Sequence, residues 1–448
     1  MKKRVLAGVL LLLTGILSGC GGGTGASGPA ETSSGSPGSS GSGTGTGEAK
    51  VELRVMWWGD QKRADLTNKV IELFEKKHPD IDVMGEFAPS SGYFDKLNTQ
   101  LASGSAADVF FLGGNVVDYA NKGVLLDLGP YVDKQLDLTD MDQSMIEYGT
   151  LNGKLVHVSA GANARGIIIN KAVFERAGLP VPEDGWDWKR YAEISKQIHD
   201  KLGGEGVYGT YNFTVDGMDI ALKQNGKQLY DMENGKLGFE ENDVLPWFKY
   251  WEETAKNGGV VPPQLAVSNP LSDPSKSLII TGKVGMSLTA SNQLVAHQAL
   301  TEDPLTMVQL PRGPKGTGVV FESSQGLSGY AETKHPEEVA AFISFFVNDP
   351  EAAEILGNDR GVPVMAANRD QLRQNASDVD EIVYDYTNRV SEAAAAEPFA
   401  VSYNPPGFAE YSKLAETTVQ EIGFGRKSVE EAVKDFYSGT LKIFESNK

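Results

Sequence analysis

A pair of tryptophans with polar neighbours stands near the start of the folded part of the sequence, as Trp57, Trp58, Gly59, Asp60 and Arg63. Aromatic rings pack against the apolar faces of a sugar, and charged groups bind its hydroxyls. Neighbours on an extended chain point to opposite sides, so we expect one tryptophan in a ligand cleft and the other in the core, although core packing of both is an alternative. Asp60 is spaced to cap a helix, and the Arg63 guanidinium then reaches either a ligand or a surface ion pair.

Sequence patterns for catalysis are absent or incomplete. The sequence contains no Gly-x-Ser-x-Gly, no His-Glu-x-x-His and no phosphate loop, and its five histidines are scattered. Asp137, Asp140, Asp142 and Glu147 lack the glycine and the ligand spacing of a calcium loop, so we interpret them as helix-capping residues and expect neither metal nor cofactor. Because 60 acidic residues always supply some carboxylate pair, a polysaccharide hydrolase or lyase remains an alternative.

The first nineteen residues read as an export signal, with a basic start, an apolar run and a small-residue cleavage site before Cys20. Cys20 is the only cysteine, so no internal disulfide is possible. The residues 17–20, Leu-Ser-Gly-Cys, resemble the lipobox of bacterial lipoproteins, which implies a diacylglyceryl group on Cys20. Two buried acyl chains anchor a protein stably, so we expect the chain on the outer face of the cell membrane.

Residues 20–49 hold the anchor and a stretch made almost entirely of Gly, Ser, Thr, Pro and Ala, which predicts a flexible tether with a reach of roughly 30 Å. Loss of the signal leaves 38 basic residues against 60 acidic ones, a net charge of −22 with histidine neutral. This charge argues against nucleic acid as a partner. The length of the remaining 400 or so residues indicates two lobes.

Hydrophobic periodicity alternates between strands and helices along the body of the chain. The early part predicts strands at 51–58, 81–87 and 109–112, with helices at 64–77, 94–102 and 116–121. Later predictions are strands at 165–170, 284–289 and 319–324, and helices at 171–177, 191–201, 246–256, 337–347, 411–422 and 429–445. Strand, helix and strand at this spacing predict βαβ units and a mostly parallel sheet.

The ordered segments together resemble family 1 extracellular solute-binding proteins, the maltose-binding-protein-like receptors of carbohydrate ABC importers. The resemblance covers nearly the whole body, and no single segment decides it. The matching segments are residues 53–60, Phe-Glu-Lys-Lys-His-Pro at 74–79, residues 97–104, Ala-Asp-Val-Phe-Phe at 107–111, Asn-Gly-Lys at 152–154, Ile-Asn-Lys at 169–171, residues 174–180, residues 282–286 and the helix after His335-Pro336.

The resemblance implies an α/β fold of two doubly wound lobes, joined by a hinge of several strands with the ligand cleft between them. We place the crossings near 159–162, 323–326 and 361–368. The predicted N-terminal lobe comprises residues 50–161 and 325–368, and the predicted C-terminal lobe comprises residues 162–324 and 369–448. In such folds the two lobes close on the ligand by a hinge motion, and the ligand-binding site lies at the carboxyl ends of the strands.

The resemblance also implies further ligand-binding residues beyond the tryptophan segment. They are Asn115 after the third strand, Asn163 and Arg165 past the first crossing, Tyr211 and Asn212 on the second lobe, Ser291 and Asn292 at a strand end, and Tyr403 and Phe408 before a late helix. Core packing is the alternative for the last two. Arg63 and Arg165 with the Trp-Trp-Gly start resemble receptors for plant cell-wall oligosaccharides, because arginine holds a uronate carboxylate at two points.

The function implied by the resemblance is capture of an oligosaccharide by a monomeric, non-catalytic receptor that delivers it to the transmembrane subunits of an ABC permease. A surface adhesin that uses the tether only for display is a third possibility. It predicts a body without a closing cleft, whereas the repeated crossings between lobes favour a clamp. That argument is one of fold analogy.

Overall fold

Strands and helices alternate along the chain. The computed structural model describes residues 50–446 except 232, 233, 271, 272, 320, 398 and 400–402, so the predicted signal, Cys20 and the tether lie outside the described residues. The strands are β1 (Val51–Trp58), β2 (Ile81–Ala88), β3 (Val109–Leu112), β4 (Thr150–Leu151), β5 (Lys154–Leu155), β6 (Val158–Asn170), β7 (Tyr208–Thr210), β8 (Tyr230–Asp231), β9 (Lys236–Leu237), β10 (Val284–Ala290), β11 (Leu305–Val308) and β12 (Phe321–Gly329).

The α-helices cover and connect these strands. They are α1 (Gln61–Lys77), α2 (Ser90–Ala102), α3 (Val116–Asn121), α4 (Gln143–Gly149), α5 (Lys171–Ala177), α6 (Trp188–Leu202), α7 (Met218–Gln224), α8 (Glu241–Lys256), α9 (Pro263–Ser268), α10 (Gln293–Gln298), α11 (Pro336–Asn348), α12 (Pro350–Leu356), α13 (Ala366–Arg373), α14 (Asp378–Ala396), α15 (Phe408–Gly423) and α16 (Val429–Ser446). In the described part of the chain, every helix is too short or too polar to cross a lipid bilayer.

The first lobe is built on the parallel pairing of β1 with β2 and with β3. Helix α1 begins where the Asp60 carboxylate accepts a hydrogen bond from the Arg63 backbone N–H, which satisfies one of the free amides of the first turn. Its buried residues recur at helical spacing, at Ala64, Thr67, Val70, Ile71 and Phe74. This apolar stripe faces the core, and the predicted βαβ pattern of this region is confirmed.

Strand β6 is shared between the two halves of the molecule. Its first part pairs antiparallel with β12, from Val158 opposite Leu327 to Ala164 opposite Phe321. Its second part, from Arg165 onward, pairs antiparallel with β10, and β11 adds on the same stretch. One continuous 13-residue strand therefore carries the backbone hydrogen bonds of both lobes.

A third segment joins the two crossing strands at the same place. Ala162 and Val362 exchange two backbone hydrogen bonds, of 2.8 and 3.0 Å, and the Ser324 hydroxyl donates to the Gly161 carbonyl at 2.9 Å. The fold is thus the predicted α/β architecture of two lobes on a multi-strand hinge. The prediction of a mostly parallel sheet was wrong, because the strands that cross between the lobes, β6 and β12, pair antiparallel with their neighbours. The division of the remaining residues between the lobes stays a prediction.

Several predicted boundaries were wrong. Strand β6 begins at Val158 and not at residue 165, because its first part pairs with β12. Helices α1, α2, α6 and α15 begin three or four residues before their predicted starts. Helix α8 begins at Glu241 and not at Pro246, because Glu240 and Asp243 form a reciprocal capping box ahead of the proline. Strand β12 runs from Phe321 to Gly329 and not over 319–324, because its second half pairs with β3 as well as with β6. Proline and short apolar runs were poor markers of these ends because a helix cap can precede the proline and strand pairing can extend a strand past its apolar run.

We expect Gly161→Ala to lower the free energy of unfolding by about 1–3 kcal/mol, the usual cost of an overpacked site. An added Cβ would lie 2.1 Å from the Arg360 carbonyl oxygen and 2.9 Å from the Gly361 Cα, both backbone atoms that cannot rotate away. Urea unfolding of the variant and the parent protein measures the difference.

Gly92→Ala serves as the control for this substitution. Gly92 lies in α2 with no atom within 4 Å of an added Cβ, and neither glycine has a positive φ. We expect this control to leave the free energy of unfolding unchanged or to raise it by up to about 1 kcal/mol, since alanine has a higher helix propensity than glycine. Equal stability of the two variants would contradict close packing at the hinge.

Candidate functional site

A cavity of about 320 Å³ lies beside the crossing strands. Segments far apart in sequence form its wall: Gly114 after β3, Tyr148 of α4, Arg165 of β6 and residues 321–323 of β12. Residues of α7 and of the turn before it also line the cavity, as do residues of α15 and of the segment before it. The cavity therefore depends on both lobes, as a ligand cleft between them requires.

Aromatic side chains form one wall of the cavity. The rings of Tyr148 and Tyr403 are stacked with centroids 5.3 Å apart, and the Tyr403 hydroxyl donates to the Tyr148 carbonyl at 2.9 Å. Phe408 and Tyr411 follow, with ring centroids 5.7 Å apart. Burial, reinforced by the Glu322 charge, raises the pKa of Tyr148 to about 12, so these hydroxyls stay protonated near neutral pH. Flat, apolar ring faces edged with hydroxyls suit a sugar ring.

Charged side chains also line the cavity, and the cations among them are paired. The Arg165 Nε lies 2.8 Å from a Glu322 carboxylate oxygen, and the Arg165 Nη1 donates to the Asp216 carbonyl. The Lys223 Nζ lies 3.0 Å from the Asp219 carboxylate, and the Lys223 side chain is only 6% exposed. These pairs hold charged groups in fixed positions around the cavity.

Three of the predicted site residues line this cavity: Arg165, Tyr403 and Phe408. Three more lie beside it. Trp58 packs next to Gly113, adjacent to cavity-lining Gly114. Asn115 accepts a hydrogen bond from the Gly113 amide at 3.3 Å, and Asn163 lies opposite Glu322 in the sheet. Among the described residues the buried Oδ1 of Asn163 has no hydrogen-bond partner.

Three predicted residues are buried away from the cavity. Trp57 is 1% exposed in the core of the first lobe and packs on Phe87. The Tyr211 hydroxyl donates to the Asn269 carbonyl and accepts from the Leu278 amide, so the ring holds the second lobe together. Ser291 is fully buried and accepts from the Ala164 amide at 3.2 Å.

The other four predicted residues do not line this cavity. Asp60 caps α1, and Arg63 forms a 2.9 Å ion pair with Asp359, which is the surface-pair alternative rather than a cleft contact. Asn212 is exposed and lines a separate cavity of about 610 Å³ against α8 and α15. Asn292 is exposed at the start of α10.

Several cavity residues were not predicted from the sequence, namely Tyr148, Asp216, Asp219, Lys223, Glu322 and Tyr411. Asp219 and Lys223 carry a usable signal, an acid–base pair spaced i, i+4 in an otherwise apolar stretch. Glu322 could have been found from its place on a crossing strand. Tyr148 and Tyr411 belong to helices that are ordinary in composition, and Asp216 lies in the turn before α7.

The carboxylates of the acidic stretch after residue 136 bind backbone amides and an arginine. The Asp137 carboxylate accepts from the Thr139 amide, Asp140 accepts from the Ala367 amide at 2.6 Å, and Asp142 pairs with Arg369 at 3.5 Å. In the part of the chain that the structure describes, no three His, Cys, Asp or Glu side chains are grouped to hold a metal ion.

A fully buried histidine lies behind the aromatic wall. His157 packs edge-on against Tyr148, and its Nδ1 lies 3.1 Å from the Ser328 hydroxyl. Burial lowers the pKa of His157 to about 3, because desolvation disfavours the charged ring. His157 is therefore neutral and supports Tyr148 by packing.

A sequence model described as bacterial extracellular solute-binding protein matches residues 59–353, well over half of the chain. The chain belongs to this family. It is a solute-binding receptor and not an enzyme, as predicted. The predicted family is confirmed.

Three related proteins illustrate the likeness. A family 1 extracellular solute-binding protein of Alicyclobacillus acidocaldarius superposes with a TM-score of 0.80 at 26% identity, covering 89% of this chain and 99% of that one. A periplasmic oligogalacturonide-binding protein of Yersinia enterocolitica gives 0.77 at 26% identity, covering 89% and 100%. A putative binding protein of Brucella abortus is 23% identical over 82% of this chain and 87% of its own.

We expect His157→Gln to flatten the acid side of the stability profile of this solute-binding protein. The unfolded chain takes up a proton on His157 below pH 6.5, whereas the folded chain does so only near pH 3. Stability is therefore lost as the pH falls through this window, by up to about 1.4 kcal/mol per pH unit for this group. Urea unfolding at pH 4 to 7 measures the two slopes, and identical slopes would contradict a neutral buried His157.

Proposed function

We propose that this solute-binding protein captures an oligosaccharide outside the cell and delivers it to the transmembrane subunits of an ABC importer. The observation that carries the proposal is the stacked pair Tyr148 and Tyr403 in a cavity that also presents carboxylates and hydroxyls. Such a mixture binds both the C–H faces and the hydroxyls of a sugar. The oligogalacturonide bound by the Yersinia protein supports a carbohydrate ligand.

Closure of the two lobes on the ligand is part of the proposal. The segments near 159–162, 323–326 and 361–368 act as the hinge, with residues 50–161 and 325–368 on one side and residues 162–324 and 369–448 on the other. Hinge residues of this kind absorb backbone rotation while the lobes stay rigid. The permease then binds the lobe faces beside the cleft mouth, and the receptor acts as a monomer.

Anchoring at the outer face of the cell membrane completes the proposal. Cys20 carries the lipid, and residues 21–49 form the tether that keeps the receptor near its permease. Two acyl chains give stable membrane attachment, and a Gly- and Ser-rich chain allows free orientation of the body.

The first expected result is a rise in melting temperature on addition of oligosaccharide to the purified protein, because a ligand that binds only the folded state stabilises it by mass action. Tyr403→Ala should weaken binding by at least about tenfold, since it removes one face of the aromatic wall. Isothermal titration with the oligosaccharide that gives the largest rise measures this loss.

Tyr437→Ala is the matched control. Tyr437 is partly buried on α16, where its hydroxyl donates to Glu240 at 2.7 Å, and it is not among the described residues that line the cavity. We expect the Tyr437→Ala variant to bind the oligosaccharide with the same affinity as the parent protein. Recovery of shortened sugar after incubation would contradict a receptor and indicate a hydrolase or lyase, and equal loss of binding in both tyrosine variants would contradict the proposed cavity.

A second expected result concerns the anchor. Cys20→Ser removes the thiol that accepts the lipid, so the protein should move from the membrane fraction to the medium or periplasm while its melting temperature rise with sugar is unchanged. Cell fractionation with an antibody against the body measures this distribution. Retention of the serine variant in the membrane fraction would contradict lipid anchoring.

A further inference from the structure

The charged groups of the cavity are unequal in number. Among the described residues that line it, the cations are Arg165 and Lys223, whereas the carboxylates are Asp216, Asp219, Glu322 and Glu416. Both cations are already neutralised inside the wall, by Glu322 at 2.8 Å and by Asp219 at 3.0 Å. The remaining two carboxylates leave the cavity with an excess of negative charge.

We propose that the cavity selects a neutral oligosaccharide and excludes chains of uronic acid, because neither of its cations is available to a ligand carboxylate. This inference rests on the proposed function and narrows its ligand class. A neutral sugar donates its hydroxyl hydrogens to Asp216, Glu416 and Glu322, which accept them without a change of charge. A uronate brings a negative charge toward these carboxylates and finds no unpaired cation among the described residues that line the cavity.

The arginine pair that suggested a uronate receptor is used for other contacts. Arg63 donates to the Asp359 carboxylate and to the Asp359 carbonyl at 2.8 Å, and it does not line the cavity. Arg165 would have to leave Glu322 to bind a uronate, and the freed Glu322 would then face the ligand. Lys223 is fixed more firmly, because its side chain is 6% exposed and bound to Asp219 on the same helix.

The ligand expected for this cavity differs from the ligand of the Yersinia protein. That protein binds oligogalacturonide and shares the fold of this chain at 26% identity. Transfer of that protein's ligand to this chain would give a uronate, whereas the charge of the cavity predicts a neutral sugar. Like charges brought together in a partly desolvated site cost affinity, so the two predictions are separated by experiment.

The test compares trigalacturonic acid with its fully methyl-esterified form, which keeps the sugar backbone and removes the charges, beside cellotriose, xylotriose and maltotriose. Melting temperature and titration calorimetry of the full protein are recorded for each. We expect binding of at least one neutral sugar, with trigalacturonate at least about tenfold weaker than its ester or undetectable. Added salt should narrow this gap, since it screens repulsion between exposed charges but leaves binding of neutral sugars unchanged.

Glu322→Gln tests the cause. It removes one carboxylate and frees Arg165, so binding of trigalacturonate relative to its ester, or relative to the best neutral sugar, should improve by about tenfold. Glu430→Gln is the matched control: Glu430 pairs with Lys249 on the surface at 2.9 Å and does not line the cavity. Glu430→Gln changes the net charge of the protein by the same amount as Glu322→Gln. It should leave the affinity for trigalacturonate, relative to its ester or to the best neutral sugar, unaltered.

The outcomes separate the inference from the function on which it rests. Tighter binding of trigalacturonate than of every neutral sugar overturns the inference and leaves the oligosaccharide receptor standing. An equal effect of the Glu322 and Glu430 variants also overturns it, because the net charge and not the cavity would then decide. Absence of binding to every sugar of the panel counts against the proposed function itself.

Discussion

The antiparallel pairing of β6 with β12 is the constraint on which the rest of the structure depends. β6 is hydrogen-bonded to β12 over its first half and to β10 over its second half, so a single strand joins the β1–β3 side of the main sheet to its β10–β7 side. The Ala162–Val362 backbone bonds add a third chain segment at the same point. Glycine is required there because the Arg360 backbone packs directly on Gly161. The hinge is therefore narrow, hydrogen-bonded and tightly packed.

The elements of the first lobe could be predicted well from sequence, because local signals and tertiary packing agree there. Helix α1 begins at a capping aspartate and keeps one apolar stripe, and β3 is a short run of buried residues. The start of α8 and the end of β12 could not be read in the same way. Their bounds are set by a reciprocal cap and by pairing with strands distant in sequence, neither of which a local apolar pattern records.

The candidate site was less predictable than the fold. Arg165, Tyr403 and Phe408 line the cavity, whereas Tyr211 and Ser291 are used to hold the second lobe together. Residue type alone does not separate these cases, since a tyrosine hydroxyl serves a buried carbonyl as well as it serves a ligand. What separates them is where the fold places the ring: Tyr403 lies at the cavity, whereas Tyr211 is buried inside the second lobe. The partners that hold these side chains are between about 60 and 250 residues away along the chain.

The order in which the wall segments occur along the chain has a consequence for biogenesis. The cavity needs Gly114 early in the sequence and Glu416 near its end, with Arg165 and Glu322 between them. Synthesis proceeds from the N-terminus, so no binding-competent cavity exists until nearly the whole polypeptide has emerged. A chain exported in an unfolded form would consequently become able to hold a ligand only on the far side of the membrane.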